Sequence, residues 1–326
     1  MSQLTSSMSL PLFAPLQRIN DKRLSQSGID LQVLRLDQYS PQLSGNKYFK
    51  LKLNLEAARS QGFSRLVSFG GAFSNHIHAV AKAGQYYGFS TMGFIRGEEH
   101  YPLNSTLQDA VDAGMQLHYL SREDYRLKST TNFIRLLPDA LREAYQNAYI
   151  IPEGGSNLLG VKGCMEIVEH IHQQIDREYD AIVVPCGTAA TLAGIAAAVP
   201  ADKQVIGISV LKNSQYLELE CQRYIEAVMV KPIHCWQILH EFHHGGYAKT
   251  SQALISFIAD FFDQHGIPLD PVYSGKMFYG LFQLLSQRTS LLPKGLRVVA
   301  IHTGGLQGAR GFKGQRQRPV AAKLLA

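Results

Sequence analysis

The sequence contains few cysteines, and none of them stands in a Cys-x-x-Cys pair. Only four occur in 326 residues, and they are widely separated: Cys164, Cys186, Cys221 and Cys235. This usage argues against a disulfide framework and a structural zinc site, and it is typical of proteins in a reducing compartment. We therefore expect a cytoplasmic protein that holds no structural metal.

Long apolar segments are absent as well. No apolar run approaches the roughly 20 residues that a helix needs to cross a membrane. The N-terminal residues MSQLTSSMSLPLFAPLQRI contain no charged segment followed by an apolar stretch. We therefore expect neither membrane association nor a secretory signal.

Acidic residues are missing from one segment, the tail that runs from Arg310 to Lys323. This tail holds Lys313, Arg316 and Arg318, whereas most other basic residues are dispersed among acids. The net charge of +6 and this tail would suit a nucleic acid, but the rest of the chain contains no recognised nucleic-acid-binding motif. We therefore expect a solvated tail and no nucleic-acid partner.

The middle of the chain alternates predicted strands with predicted helices. Short apolar segments predict strands at 66–69, 90–95, 116–120, 148–151, 180–184, 204–210 and 295–302. Apolar periodicity and capping residues predict helices at 75–87, 104–113, 160–178 and 188–198. Strands separated by such helices form parallel sheets through right-handed crossovers. We expect an α/β protein with two open parallel-sheet layers, and a ligand cleft between them at the carboxyl ends of the strands.

The segment that follows the strand at 180–184 predicts an anion site. Its residues, Cys186-Gly187-Thr188-Ala189-Ala190-Thr191, form a turn of small side chains that leads into a helix. The first N–H groups of a helix lack internal partners and carry the positive end of the dipole, so they suit a phosphate. A plain helix start explains the same residues, because the turn matches neither the P-loop nor the dinucleotide-binding pattern.

A second turn, Gly70-Gly71-Ala72-Phe73-Ser74-Asn75-His76, has the same strand–turn–helix form. Ser74 or Asn75 can simply cap the helix. Alternatively, these side chains and the free N–H groups hold a substrate carboxylate, and Ser74 presents its hydroxyl at the helix tip. Both interpretations stay open.

The segment His240-Glu241-Phe242-His243-His244 matches the H-E-x-x-H pattern of zinc hydrolases. That pattern binds zinc only on a helix, which brings both histidines to one face. Residues 235–239 favour a strand instead, and Gly245-Gly246 follow at once. We therefore interpret the match as chance.

Several motifs occur in one order along the chain: Gly45-Asn46-Lys47, Gly70-Gly71, Ser74-Asn75-His76, Pro152-Glu153-Gly154-Gly155-Ser156-Asn157, Gly187-Thr188, Gly246-Tyr247, Asp270-Pro271-Val272-Tyr273-Ser274-Gly275-Lys276 and His302-Thr303-Gly304-Gly305. In this order they resemble the aminocyclopropane-carboxylate deaminase/D-cysteine desulfhydrase family of pyridoxal-phosphate enzymes. The resemblance covers about residues 15–305. It implies the tryptophan-synthase-β-like fold, fold type II.

The resemblance also implies roles for individual residues. Lys47 would be the Schiff-base lysine that anchors pyridoxal 5′-phosphate, and Thr303 would lie beside the pyridine nitrogen. The turn that would hold the cofactor phosphate consists of Gly187, Thr188, Ala189, Ala190 and Thr191. The residues that would bind the substrate are Ser74, Asn75, His76 and Ser274. The residues that would act in catalysis are Lys47, Ser74, Tyr247 and Tyr273.

Two positions separate the activities of this family. Ring-opening deaminases typically have glutamate and leucine where this chain has Ser274 and Thr303, so both positions match the desulfhydrases. An acid near the ring nitrogen strengthens the cofactor as an electron sink, which ring opening needs more than the elimination of sulfur does. Three further positions depart from the family pattern. The family commonly has arginine at the position of Phe49, glutamate at that of Lys52 and arginine at that of His78. These departures leave the identity of the substrate undecided.

We therefore expect a pyridoxal-phosphate-dependent lyase or deaminase that converts a small amino acid, best interpreted as D-cysteine, to a 2-oxo acid and ammonia by α,β-elimination. A 1-aminocyclopropane-1-carboxylate deaminase and a non-catalytic cofactor-binding protein are the alternatives. The resemblance implies a homodimer. It also implies a large cofactor-binding domain, residues 1–48 and 159–326, and a small α/β domain, residues 49–158.

Overall fold

The computed structural model describes residues 13–40, 43, 45–229, 235–287 and 291–312. The described strands are β1 (Leu16–Ile19), β2 (Asp30–Arg35), β3 (Arg65–Gly71), β4 (Ser90–Arg96), β5 (Met115–Leu120), β6 (Tyr149–Ile150), β7 (Ala181–Cys186), β8 (Gln204–Ser209), β9 (Trp236–Leu239) and β10 (Arg297–His302). Lys313, Arg316 and Arg318 of the predicted basic tail lie outside the described residues.

The described α-helices alternate with these strands. They are α1 (Lys22–Ser27), α2 (Asn46–Ser60), α3 (Asn75–Tyr87), α4 (Ser105–Asp112), α5 (Arg122–Arg126), α6 (Thr131–Leu136), α7 (Asp139–Gln146), α8 (Leu158–His172), α9 (Ala189–Ala198), α10 (Tyr216–Val228), α11 (Gln252–His265) and α12 (Ser274–Gln287). None of the helices in the described ranges combines the length and the apolar character that crossing a membrane requires.

The larger sheet contains six strands in the order β1-β2-β10-β7-β8-β9. All neighbours pair in parallel except β1 and β2, which form an antiparallel edge. Strand β7 is buried along its whole length, as expected for a central strand covered on both faces. Helix α9 consists almost entirely of buried small and aliphatic residues and packs beside this sheet.

The smaller sheet contains four parallel strands in the order β5-β4-β3-β6. Together the two sheets confirm the predicted fold class of two open parallel-sheet α/β layers, with β1 as the one antiparallel addition among the described strands. Strands β3 and β4 and helix α3 lie within one or two residues of their predicted bounds. The predicted start of α4 is confirmed too, because the Asn104 side chain accepts hydrogen bonds from the backbone of Thr106 and Leu107.

The predicted helix at 160–178 is wrong at its C-terminal end. Helix α8 ends at His172, and the chain then turns toward the N-terminal strand. The Gln174 side chain accepts from the Leu16 backbone N–H at 3.0 Å and donates to the Ala14 carbonyl at 2.8 Å. These bonds tie the segment after α8 to the edge of the larger sheet.

Helix α2 connects the two sheets and carries the region around Lys47. It runs without a break through residues 48 and 49, where the sequence predicts a domain boundary. Its backbone packs directly on α8, since a Cβ atom on Gly163 would lie 2.0 Å from the Phe49 carbonyl oxygen. Only glycine permits this contact, which fixes the start of α2 against the larger sheet.

Candidate active site

A cleft of about 660 Å³ lies between the two sheets, at the carboxyl ends of their strands. The segments that follow β3, β7 and β10 line it, together with the first turn of α2. Parallel α/β sheets bind their ligands at this edge. The cleft is therefore the candidate active site.

The first turn of α2 presents Lys47 to the cleft. The Lys47 Nζ atom donates to the Gly154 carbonyl oxygen at 3.3 Å. Burial lowers the pKa of this amine well below 10.5, and the neighbouring Lys50 ammonium lowers it further. An unprotonated lysine amine is both a nucleophile and a base.

Close backbone contacts hold the start of α2. A Cβ atom on Gly45 would lie 2.0 Å from the Thr303 carbonyl oxygen, and Gly45 has a φ of 76°. Asn46 donates from its backbone to that same carbonyl at 3.2 Å, and its side chain donates to Thr191 Oγ1 at 2.8 Å. The helix that carries Lys47 is thereby joined to β10 and to α9.

The turn before α9 has the features that an anion site requires. Thr188 is the N-cap residue, but its side chain makes no hydrogen bond to the backbone of the helix, so the first N–H groups have no side-chain cap. Lys50 reaches the same turn, and its Nζ donates to Thr188 Oγ1 at 2.8 Å and to the Gly154 carbonyl at 3.1 Å. A helix N-terminus beside a lysine fits a phosphate group.

Lys50 strengthens this assignment because it is almost completely buried. Among the described residues its hydrogen-bond partners are neutral oxygens, not a carboxylate. Burial lowers the pKa of Lys50 as well. Glu220 acts on Lys50 electrostatically but forms no ion pair with it. A buried ammonium without an ion-pair partner is costly, and an anionic group bound at this turn would relieve that cost. The residues present thus fit a phosphorylated ligand.

The other predicted residues of this turn are close by. Ala189 and Ala190 are fully buried in the first turn of α9 and are not among the described residues that line the cleft. Gly187 and Thr191 line the cleft. A Cβ atom on Gly187 would lie 2.7 Å from the Tyr273 ring, so the turn packs directly against that tyrosine.

Ser74, in the turn before α3, and Asn75 and His76, in the first turn of that helix, line the cleft from the side of the smaller sheet. Ser74 caps α3, because its Oγ accepts from the Ile77 backbone N–H at 3.3 Å. The Asn75 side chain accepts from Gln307 Nε2 at 3.0 Å. The capping interpretation of Ser74 is therefore correct, and the hydroxyl also lines the cleft.

His76 is buried in this turn and has one unsatisfied ring nitrogen. The Ser68 hydroxyl donates its single proton to the Ile151 carbonyl at 2.8 Å and lies 2.9 Å from His76 Nε2. Nε2 therefore donates to Ser68, while Nδ1 has no hydrogen-bond partner among the described residues. Burial, Lys47 and Lys50 lower the pKa of His76 well below 6.5, so the ring is neutral.

Tyr247 and Tyr273 form an edge-to-face pair at the cleft, with ring centroids 6.2 Å apart and an interplanar angle of 71°. The Tyr247 hydroxyl donates to the Phe73 carbonyl at 3.2 Å, which joins it to the turn before α3. Burial raises the pKa of both phenols, and that of Tyr273 rises well above 10. Both hydroxyls are therefore protonated donors at neutral pH.

Thr303 and Ser274, the two positions that separate the family's activities, occupy different environments. Thr303 lines the cleft. Ser274 is fully buried and is not among the described residues that line it. The Ser274 hydroxyl donates to Asp270 Oδ2 at 2.6 Å and accepts from the Asp270 backbone N–H at 2.9 Å. The structure thus places this hydroxyl at the start of α12, where it is bonded to Asp270, and the predicted substrate contact of Ser274 stays a prediction.

The H-E-x-x-H segment follows strand β9 and does not form a helix. His240 contacts Ser214 and Glu218, and the His243 ring accepts from the Gly245 backbone. In the ranges that the structure describes, no three histidine, cysteine or acidic side chains are grouped to hold a metal ion.

The departures from the family pattern have structural partners. Phe49 is buried among Tyr39 and neighbouring rings. Lys52 forms an ion pair with Glu166 at 2.7 Å. His78 Nε2 donates a hydrogen bond to Asp109 at 3.1 Å. These side chains therefore belong to the packing and surface of the protein, although His78 also reaches the cleft.

Several of the described cleft residues were not predicted from the sequence, among them the charged residues Lys50, Arg96 and Glu220. Lys50 could have been predicted from its spacing, because residues three apart on a helix share a face and Lys47 was already a candidate. Arg96 and Glu220 had no such signal, since each stands among ordinary surface charges in the sequence.

Comparisons with known proteins agree with this geometry. A family model described as "Pyridoxal-phosphate dependent enzyme" matches residues 13–304. The chain is 30% identical to a bifunctional D-cysteine desulfhydrase/1-aminocyclopropane-1-carboxylate deaminase of Arabidopsis thaliana, covering 86% of this chain and 74% of the relative. It is 26% identical to a D-cysteine desulfhydrase of Serratia proteamaculans, covering 89% and 91%. A crystal structure described as an ACC deaminase homologue has a TM-score of 0.78 at 26% identity and 92% coverage of both chains.

Proposed function

The chain belongs to the family of pyridoxal-phosphate-dependent enzymes, and from this premise we propose that it cleaves D-cysteine, or a related β-substituted D-amino acid, by α,β-elimination. The products are a 2-oxo acid, ammonia and the β-substituent. One observation carries the proposal: the Lys47 amine and the neutral Thr303 hydroxyl face the same cleft.

Pyridoxal 5′-phosphate carries a phosphate anion and an aldehyde, and the cleft contains residues that fit each of these two groups. Lys47 is the amine for covalent attachment, and the uncapped start of α9 with Lys50 is the site for the phosphate. Thr303 is the partner for the ring nitrogen. When bound, this cofactor stabilises the negative charge that develops at the α-carbon of an amino acid.

Lys47 also moves the proton. Its lowered pKa makes the unprotonated amine available near neutral pH, so Nζ can remove the α-proton of the substrate. The N–H groups at the start of α3, with Ser74 and Asn75, are suited to the substrate carboxylate. His76 Nδ1 offers an acceptor in the same turn, and this suits a donor such as an amine better than a carboxylate.

The tyrosine pair is suited to the leaving group. Both phenols stay protonated because their pKa values are raised, so the Tyr273 hydroxyl can donate to a departing sulfur atom. The Tyr247 hydroxyl can do so when it releases the Phe73 carbonyl. Tyr247 is held by the Phe73 carbonyl and Tyr273 by the phosphate turn. The pair therefore spans the two walls of the cleft between which a small amino acid would bind.

Thr303 favours elimination over ring opening. A hydroxyl at this position would favour protonation of the cofactor's ring nitrogen less than a carboxylate would. Sulfur is a good leaving group, so its elimination needs less help from the ring than ring opening does. Asp37 also lines the cleft, but Arg35 occupies its carboxylate with hydrogen bonds of 2.8 and 2.7 Å. That carboxylate is therefore not free to serve the cofactor ring.

Ring opening of 1-aminocyclopropane-1-carboxylate is the second candidate activity. It is favoured by relatives that bear this name, among them a putative deaminase of Thermotoga maritima that is 30% identical over 298 residues. A non-catalytic cofactor-binding protein is the third candidate. It would load the cofactor without turning over any amino acid.

The deciding experiment compares substrates on the purified, cofactor-loaded protein. We expect D-cysteine to yield pyruvate, sulfide and ammonia in equal amounts, and to do so faster than L-cysteine. Release of 2-oxobutanoate from 1-aminocyclopropane-1-carboxylate without pyruvate from D-cysteine would instead assign the second activity. A loaded protein that is inert toward both enantiomers of a β-substituted amino-acid panel would assign the third.

We further propose that the enzyme is a cytoplasmic homodimer whose small domain comprises residues 49–158. The widely spaced, unpaired cysteines support a reducing compartment. The smaller sheet, which runs from Arg65 to Ile150, supports the domain division. The family resemblance supports the dimer, and light scattering on the purified protein tests it.

A further inference from the structure

Arg96 is the one arginine among the described residues that line the cleft. It is the last residue of β4 and is paired in register with Gly71, which ends β3. A Cβ atom on Gly71 would lie 3.6 Å from a terminal nitrogen of Arg96. The guanidinium therefore lies beside the turn that leads into α3.

The Arg96 guanidinium has no carboxylate partner in the described part of the chain. Its Cζ lies 5.6 Å from the ring centroid of Tyr125, a contact that orients the group without neutralising it. It also lowers the pKa of the Tyr247 phenol, against the larger raising effect of burial. Arg96 is therefore close enough to Tyr247 to act on it electrostatically.

The acids of the cleft are engaged elsewhere. Glu153 forms an ion pair with Lys128 at 3.2 Å, and Asp37 is bound by Arg35. Glu220 interacts electrostatically with Lys50, at the phosphate turn. None of these described carboxylates is an ion-pair partner of Arg96.

The anions already assigned do not need Arg96. The start of α9 and Lys50 suit the cofactor phosphate, and the start of α3 suits the substrate carboxylate. Arg96, an exposed cationic side chain that lines the cleft, therefore remains without an assigned anion. Arginine is the side chain best suited to bind a carboxylate, sulfonate or phosphate, because its donors form a planar fork.

We infer that Arg96 is a specificity residue that binds a second anionic group, on the β-substituent of the amino-acid substrate. The inference rests on the proposed elimination and narrows its substrate class. For a substituent X, the Cα–H bond breaks and its proton passes to Lys47. The Cβ–X bond breaks and X leaves with the electron pair, and water completes the products as pyruvate, ammonium and HX. The reaction requires no oxidant or reductant.

The first test compares two substrates that differ mainly in this second anion, O-phosphoserine and O-acetylserine, each supplied as both enantiomers. Pyruvate release is measured with the cofactor-loaded wild type, Arg96→Gln and Arg65→Gln. Arg65 is the first residue of β3, at the amino ends of the strands of the same sheet, and serves as the matched control. We expect Arg96→Gln to lower the ratio of the two kcat/KM values, phosphorylated over acetylated, by about 10- to 100-fold, as for a lost hydrogen bond to a charged group.

The second test needs no turnover and therefore separates a failure of this inference from a failure of the proposed function. Aspartate and asparagine have nearly the same shape and differ by one anion, so their binding is followed through the absorbance of the protein-bound cofactor. We expect the wild type to prefer aspartate and Arg96→Gln to lose that preference, with Arg65→Gln unchanged. Equal binding of both ligands by the wild type would overturn the inference. An equal fall in kcat/KM for O-phosphoserine and O-acetylserine in Arg96→Gln would overturn it too, because Arg96 would then bind the α-carboxylate that both substrates share.

Discussion

Lys47 and Lys50 donate to the same acceptor, the carbonyl oxygen of Gly154, at 3.3 and 3.1 Å. The two lysines lie three residues apart on one face of α2, so one ammonium lowers the pKa of the other. This arrangement gives the two residues different tasks. Lys50 can remain charged beside an anion at the phosphate turn, whereas Lys47 loses its proton and becomes the reactive amine.

Replacing Lys50 with methionine should weaken cofactor binding without removing the reactive lysine. The methionine keeps the apolar stem but removes the ammonium that donates to Thr188 Oγ1. We expect the dissociation constant of pyridoxal phosphate to rise by about 10- to 100-fold, as for a lost charge-assisted hydrogen bond. Absorbance titration of the apoprotein with the cofactor measures this change.

Lys52→Met is the matched control for that experiment, because Lys52 lies on the same helix and pairs with Glu166. Its dissociation constant should stay within about twofold of the wild-type value, as for a surface ion pair. Equal weakening by both variants would show that helix charge in general, and not Lys50, holds the phosphate.

Replacing Lys47 with alanine should abolish covalent attachment of the cofactor. The variant lacks the amine in the first turn of α2, and Lys50 already donates to two acceptors. We expect the visible absorbance of the protein-bound cofactor to disappear and turnover to fall at least ~1,000-fold, as for loss of a covalent catalyst. An unchanged spectrum in Lys47→Ala would assign the attachment to another lysine.

Replacing Ser274 with alanine should cost stability and leave substrate binding almost unchanged. The hydroxyl both donates to Asp270 and accepts from its backbone, and this buried pair starts α12. We expect a loss of about 1–3 kcal/mol in the free energy of unfolding, measured by denaturant titration. The exposed Ser286 of the same helix is the control. A several-fold rise in KM without a loss of stability would restore the predicted substrate contact.

Much of the fold could be predicted because its central strands are short apolar runs that end at glycines. Strands β3, β4 and β7 are of this kind. Strand β2 (DLQVLR) was missed because its polar residues interrupt the pattern. Helix α2 was missed because it packs against both α8 and α3, so its buried residues lie on more than one face.

The sequence predicts those site residues that stand in characteristic turns. It does not predict side-chain orientations that depend on contacts with residues elsewhere in the fold. Lys47, Thr188 and Thr303 stand in turns that follow strands or open a helix, and they line the cleft. The orientation of Ser274 depends on Asp270, which accepts hydrogen bonds from three backbone N–H groups as well. Nothing in the sequence indicates that the Ser274 hydroxyl donates to this carboxylate.

The buried Lys276 should make stability depend on pH in the alkaline range. Its Nζ donates to the Gly246 carbonyl at 2.7 Å, next to Tyr247, and burial lowers its pKa from 10.5 to about 8. Between about pH 8 and 10.5 the unfolded chain therefore binds this proton and the folded chain does not. Stability contributed by this group rises with pH through that window, and below about pH 8 the charged form carries its full penalty.

The measurement is the difference in unfolding free energy between the wild type and Lys276→Met, both loaded with cofactor, from about pH 7.5 to 10.5. We expect the wild type to gain on the order of 3 kcal/mol relative to the variant across this range. Lys294→Met, at an exposed position, should show no such pH-dependent difference. Parallel curves for wild type and Lys276→Met would mean that the lysine keeps its ordinary pKa. Burial of its ammonium beside the Gly246 carbonyl would then cost the fold little at neutral pH.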